Sequence, residues 1–189
     1  MVTKLKSAEH LEEIEINKLL RYLHKNHHWT YYILVRLGVS TALRYSDLSQ
    51  ITWKDLLRHN YLTVREKKTS RVREIPLSTE LVQNLTSLHL KLGSPNEENR
   101  VLPLTIRAVN KQLKIYAAKS GIRGKRISSH TFRKTFGREV WKRNNYSEAS
   151  LVKLSQLFRH SSTAITRIYL SITKEEVENL YDIQDMFLY

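Results

Sequence analysis

YLTVREKKTSRVREIP, residues 61–76, is the stretch on which the fold turns. Tyr61 to Glu66 alternates, with Leu62 and Val64 on one face, and Arg73 to Ile75 is a second short extended run that Pro76 ends. Between them lies the polar Lys67-Lys68-Thr69-Ser70. Period-two alternation interrupted by a short polar segment is the pattern of a β-hairpin, here with a basic tip. On both sides of it the apolar residues recur at helical spacing instead. The expected fold class is therefore mainly α with a small antiparallel β-sheet or hairpin (α+β).

Upstream, residues 9–25 place Ile16, Leu19, Leu20 and Leu23 at i, i+3, i+4 and i+7, with Leu11 and Ile14 on neighbouring turns, which predicts an amphipathic helix. Trp29 to Leu37 is apolar nearly all round and predicts a buried helix, interrupted at Gly38-Val39-Ser40. Tyr45 to Gln50 reads as a further short helical turn. Downstream, Leu81, Val82, Leu85 and Leu88 mark a helix that Gly93-Ser94-Pro95 stops. From Thr105 the residues Ile106, Val109, Leu113 and Ala117 share one face, with Arg107, Lys111 and Lys114 largely on the others. After a loop at 121–124, Ser128 and Ser129 are expected N-caps of a helix over 131–142. Leu151, Leu154 and Phe158 mark one more, and residues 174–188 a last one.

At 189 residues the chain fits a single domain with a sizeable core. Its net charge of +14 points to a polyanionic partner, because clustered cations gain free energy by displacing counterions from phosphates. The charge is concentrated: residues 100–143 hold thirteen Lys or Arg against one acid, Glu139, while acidic residues gather towards both ends. Cysteine is absent, which excludes a disulfide scaffold, a Cys-ligated zinc and a thiol nucleophile. There is no signal-peptide core and no run of about 18 apolar residues. A cytoplasmic, bacterial, nucleoid-associated protein is expected.

Chemistry-bearing residues cluster in a pattern. His130 and Arg133 lie at i, i+3 and so on one face of a helix start. A lone His160 is followed nine residues later by Tyr169, one of ten tyrosines. Arg44 precedes Asp47 by three residues, a spacing at which the carboxylate would orient the guanidinium. Lys67 and Lys68 occupy the hairpin tip. Each feature alone is ordinary: a His-x-x-Arg pair is usually a cap and a surface charge, and tip lysines are usually just solvated. Together they supply a nucleophile, phosphate clamps and proton donors, the inventory of metal-free phosphodiester chemistry. A phenol titrating near about 10 needs concentrated positive charge or a base to attack near neutrality.

The order Thr41-Ala-Leu-Arg44-Tyr-Ser-Asp47-Leu, Lys68-Thr69 before Ile75-Pro76-Leu77, His130-Thr-Phe-Arg133-Lys-Thr-Phe, Phe158-Arg159-His160-Ser-Ser and Thr166-Arg-Ile-Tyr169 resembles the catalytic domain of tyrosine recombinases, the phage integrase family. The resemblance runs from about residue 8 to the C-terminus. It implies a site-specific DNA recombinase or integrase that cleaves and rejoins DNA through a 3′-phosphotyrosyl intermediate. Tyr169 would attack, Arg44 and Arg133 would hold the non-bridging oxygens, and His160 would add a hydrogen bond to the phosphate. Lys68 would protonate the leaving 5′-oxygen and His130 would help accept the tyrosine proton. Lys67, Arg107, Lys111, Lys114, Arg123, Lys125, Arg126 and Lys134 are the expected DNA contacts. No metal or other cofactor is implied. The implied partners are double-stranded DNA, further copies of the chain in a tetramer, and accessory DNA-bending proteins.

Three departures stand out. Phe158-Arg159 replace the usual Leu-Gly, Lys134 replaces a common His, and a few extra residues fall around 144–149. Nothing upstream corresponds to the family's core-binding domain, so residues 1–189 read as a single catalytic domain, either a fragment or a short single-domain member. The apolar stripe of residues 174–189 is expected to be exchanged between protomers. Two alternatives share parts of this reading: a type IB topoisomerase that relaxes DNA, and a non-catalytic DNA-binding regulator with an inherited site.

Overall fold

The computed structural model describes residues 7–173. In chain order these form α1 (Glu13–Lys25), α2 (Trp29–Thr41), α3 (Tyr45–Leu48), α4 (Trp53–Leu57), β1 (Tyr61–Arg65), β2 (Val72–Pro76), α5 (Thr79–Lys91), α6 (Ile106–Lys119), α7 (His130–Arg143), α8 (Glu148–Phe158) and α9 (Thr163–Leu170). The chain divides into two compact units, one up to Phe136 and one from Gly137, so the boundary falls inside α7. The mainly helical class with one antiparallel strand pair is as expected. No described helix is long and apolar enough to cross a membrane.

The first unit is built around Leu19 and Leu23 of α1, Leu34 and Leu37 of α2 and Leu85 of α5, with Val109 and Leu113 of α6, all essentially solvent-free. α1 begins at Glu13, four residues later than the apolar spacing suggests. Leu11 is buried ahead of the helix, its N–H donating to Thr135 Oγ1 at 2.9 Å, while Ile14 is 63% exposed. The expected break at Gly38 is not there either: α2 runs through it to Thr41. A Cβ at position 38 would stand 2.7 Å from Phe132 Cβ, so the glycine gives α7 a close approach that buries Phe132 completely. The helix-propensity cost of a mid-helix glycine, about 1 kcal/mol, is offset by that burial. α2 ends instead at Ala42, whose left-handed backbone (φ 57°, ψ 19°) stops the helix.

In the hairpin Tyr61 pairs with Pro76 and Arg65 with Val72, and Leu62, Val64 and Ile75 are buried. The tip closes through Glu66 N–H to Arg71 O at 2.9 Å and Ser70 N–H to Glu66 O at 2.8 Å. α5 and α6 start on hydroxyl caps, Ser78 Oγ accepting from Leu81 N–H and Thr105 Oγ1 from Ala108 N–H, each at 3.2 Å. Ile106, expected on the apolar face of α6, is 49% exposed because it stands on the helix's first turn. At the start of α7 it is Ser128 that accepts from His130 N–H, at 3.2 Å, while Ser129 N–H donates to Asn110 Oδ1 at 2.8 Å.

In the second unit Trp141, Leu151, Leu154, Phe158 and Leu170 are buried. A Cβ at Gly137 would lie 2.6 Å from Leu170 Cδ2 and 2.8 Å from Phe158 Cζ, so only glycine lets α7 lie this close to them. The extra residues near 144–149 form a turn with two consecutive left-handed positions, Asn145 and Tyr146 (φ 52° and 56°), and Tyr146 packs edge-on against Trp141 at 4.9 Å. Ser147 then caps α8. The expected helix at 174–188 lies outside the described residues.

Candidate active site

Arg44 and Arg133 are set by backbone features of the first unit. Arg44 is the extended N-cap residue of α3 (φ −73°, ψ 154°), two residues past left-handed Ala42. Arg133 is 3% exposed, and its Nη1 donates a short hydrogen bond to the Ala42 carbonyl. A guanidinium out of solvent needs acceptors, and a carbonyl released by the end of a helix is a ready one. His130, one turn earlier on α7, stays open to solvent. Its pKa is nevertheless lowered, first by desolvation of the ring and then by the charges of Arg133, Arg44 and Lys134. The fields of both arginines thus reach His130, and its imidazole is held neutral near pH 7, the form that can take a proton.

Asp47 is fully buried on α3, and its Oδ1 accepts from the backbone N–H of Lys67 at 3.0 Å and from Ser46 Oγ at 3.3 Å. These bonds hold the root of the hairpin tip, and Asp47 stands three residues on from Arg44, which it is expected to orient. Lys67 and Lys68 are exposed at that tip.

His160 and Tyr169 meet in the second unit. α8 ends with Arg159 in the left-handed region (φ 58°, ψ 43°), and His160 N–H closes the cap on Ser155 O at 2.9 Å. The geometry usual for glycine is thus kept by an arginine, at a conformational cost of about 1 kcal/mol. The His160 ring lies 5.1 Å from that of Tyr169, edge-on, and both contact Phe158 at 5.4 Å. His160 Nδ1 is 2.9 Å from Thr166 Oγ1, and Thr166 is entirely buried. An ion pair between Arg167 and Glu148 ties α9 to α8.

Of the expected DNA contacts, Arg107, Lys111, Lys114, Arg123 and Arg126 are exposed. Arg126 also donates from Nε to Ser7 O at 2.9 Å and from its amide to Glu9 Oε2 at 2.8 Å. Lys125 is half-buried and engaged with Glu15 Oε2 at 2.5 Å. Lys134 is 3% exposed with Nζ 3.3 Å from Ser7 Oγ, and burial lowers its pKa; here the lysine faces the interior of its unit. Among the described residues no three His, Asp or Glu side chains gather as metal ligands would.

Three contributors were missed in the sequence: the Ala42 carbonyl, Thr166 and Glu66. A main-chain acceptor carries no residue signal, and nothing in the spacing of Thr166 sets its hydroxyl apart. Glu66 did carry a signal, since alternation puts it on the face of Leu62 and Val64, and it is fully buried. It accepts from Thr69 Oγ1 at 2.8 Å and from Arg73 Nη1 at 3.0 Å.

The model of the phage integrase family matches residues 9–176. The chain belongs to that family. Over 191 aligned residues it is 26% identical to "Probable integrase/recombinase YoeC" of Bacillus subtilis (strain 168), covering 97% of each chain. It is 25% identical to "Tyrosine recombinase XerC" of Xanthomonas axonopodis pv. citri, spanning 79% of this chain but about half (49%) of that one. Among solved structures, XerH recombinase in a post-cleavage complex with its difH substrate superposes with a TM-score of 0.69 at 20% identity, over 94% of this chain and 54% of that one. XerA recombinase gives 0.67 at 22%, over 93% and 64%. The fold is that of a tyrosine recombinase catalytic domain, and the family is one of site-specific DNA recombinases. The topoisomerase and inactive-regulator alternatives gain no support from these matches.

Proposed function

We propose that the chain breaks and rejoins DNA at a specific site with Tyr169 as nucleophile and Arg44, Lys68, His130, Arg133 and His160 as its catalytic partners. The phenolic oxygen attacks phosphorus while the bond from phosphorus to the 5′-oxygen breaks. His130 takes the phenol's proton and Lys68 gives one to the departing oxygen, leaving a 3′-phosphotyrosine and a free 5′-hydroxyl. Arg44 and Arg133 balance the extra negative charge on the non-bridging oxygens, and His160 adds a donor. The second strand is handled by other copies of the chain: a related integrase has been captured as a tetramer on a Holliday junction. Double-stranded DNA in the bacterial cytoplasm is the substrate, contacted by the exposed basic residues of α6 and the loop after it.

The observation that carries this reading is His130 one turn from Arg133, whose guanidinium is bonded to the Ala42 carbonyl two residues before Arg44. A base whose pKa is lowered first by desolvation and then by the cations that would bind the phosphate is suited to this step and of little use as a surface histidine. The test is covalent capture: the 189-residue chain is incubated with nicked duplexes from a randomised pool, and DNA joined to protein is recovered and sequenced. Tyr169→Phe should yield no adduct while retaining DNA affinity. Adducts formed by Tyr169→Phe would assign the attack to another tyrosine.

A further inference from the structure

Glu66 is a carboxylate at a core position. Leu62, Val64 and Glu66 follow one another on the buried face of the hairpin, and the glutamate side chain has no exposed surface. Taking a carboxylate out of water costs several kcal/mol even when it is paired, and an apolar residue there would pack without that cost. Burial by itself would raise its pKa, but hydrogen bonds from Thr69 and Arg73, with the charges of Arg73 and Arg44, bring it below the ordinary glutamate value. The carboxylate form is thus the favoured one near neutral pH, and each of its oxygens is assigned: Oε2 to the Thr69 hydroxyl at the tip, Oε1 to Arg73 on β2.

Lys68 stands between two residues that buried carboxylates hold. On one side Asp47 grips the amide of Lys67 at 3.0 Å; on the other Glu66 grips the side chain of Thr69 at 2.8 Å. Ser70, next along, is fixed in the left-handed region (φ 55°), its N–H on Glu66 O and its carbonyl accepting from Arg65 Nη1 at 3.2 Å. A hairpin tip joined to its strands only by the ladder would fray, and a lysine on it would sample many directions. Among the described residues, the tip is fastened at Lys67, Thr69 and Ser70, with Lys68 between them.

We propose that Glu66 is a positioning residue for leaving-group protonation: through Thr69 and Arg73 it holds the hairpin tip in the one shape that presents Lys68 to the 5′-oxygen. The role rests on the reading of Lys68 as general acid and adds a device that the catalytic set does not include. Glu66 touches neither substrate nor reacting atoms. Its contribution is to keep the lysine's backbone from wandering, and a displacement of about 1 Å at such a group is enough to cost up to about a hundredfold in rate.

The experiment compares single-turnover cleavage of two duplexes of the same selected sequence, one ordinary and one with sulfur at the 5′-bridging position, which leaves without a proton. Lys68→Ala should lose about a hundredfold or more on the ordinary duplex and be near wild type on the sulfur one. Glu66→Gln keeps the shape and loses the charge that pairs with Arg73; it should lose about tenfold on the ordinary duplex and recover to within about twofold on the sulfur one. Thr69→Ala leaves the Glu66–Arg73 pair in place and should behave the same way, and it carries the test if Glu66→Gln does not fold. Equal losses on the two duplexes, or no loss on either, overturn the positioning role. A Lys68→Ala that sulfur fails to rescue overturns the general-acid reading and this role with it. Because that result comes from its own arm, the two failures are told apart.

Discussion

Replacing Thr166 by valine removes one hydroxyl and keeps the shape of a side chain that has no solvent exposure. The hydroxyl lies 2.9 Å from His160 Nδ1 and 3.4 Å from Ser162 O, so the loss is one good hydrogen bond and one long one. Stranding a buried polar atom costs about 1–3 kcal/mol. His160 is only half-buried and solvent can partly replace the bond, which puts the expected loss of stability near the lower end, about 1 kcal/mol. The effect on chemistry should be larger in proportion. The Thr166 bond holds the Nδ1 edge of the His160 ring, and a full transition-state donor is worth about 3 kcal/mol. A donor left in place but less firmly oriented should lose part of that, so a fall of about tenfold in the cleavage rate is expected. Urea unfolding followed by circular dichroism measures the first quantity and single-turnover adduct formation the second, with Thr166→Ser as the conservative control that restores both. If Thr166→Val cleaves at the wild-type rate, the hydroxyl does not orient His160 and the argument is wrong.

Other outcomes follow from the same geometry. Gly38→Ala should destabilise the first unit by about 1–3 kcal/mol, because the new methyl meets the Phe132 side chain; an unchanged urea midpoint would show that α7 shifts at no cost. Arg159→Gly should stabilise the chain by about 1 kcal/mol by relieving a left-handed backbone, and a loss of stability would mean that the arginine side chain makes contacts that outweigh the strain. The pKa of His130 is lowered, so its neutral, proton-accepting form persists below the usual histidine value and is lost only as pH falls through the depressed pKa. The acid limb of the cleavage rate should accordingly lie below about pH 6.5 and vanish in His130→Gln; a limb above pH 7, or one that survives the substitution, would assign the titration elsewhere.

The hairpin and most helices were legible because each is specified locally: alternation between Tyr61 and Glu66, hydroxyl caps at Ser78 and Thr105, and apolar spacing along α5 and α8. The misjudged places are those where a distant residue decides. Gly38 looks like a helix breaker until Phe132 comes to lie against it, and Leu11 belongs to the core through a bond to Thr135 rather than through a helix. Lys134 counts as a surface charge in any tally of the basic segment, yet its own turn of α7 points it inward. The candidate site residues could be named from their spacing, but what holds them could not. Spacing shows which side chains recur; it does not show that a carbonyl, a threonine hydroxyl or a carboxylate at a core position supports them.

The left-handed bend at Ala42 limits how this sequence can drift. Its carbonyl is the seat of the Arg133 guanidinium, Arg44 follows two residues later, and its own side chain has no exposed surface. A residue at 42 must tolerate positive φ, fit a closed space and turn its carbonyl towards α7. Glycine meets the first two demands while loosening the third, and a β-branched residue fails at the first. Lineages descending from this chain would thus be free to vary many solvent-facing positions while an unremarkable alanine stays put, although it carries no reactive side chain of its own.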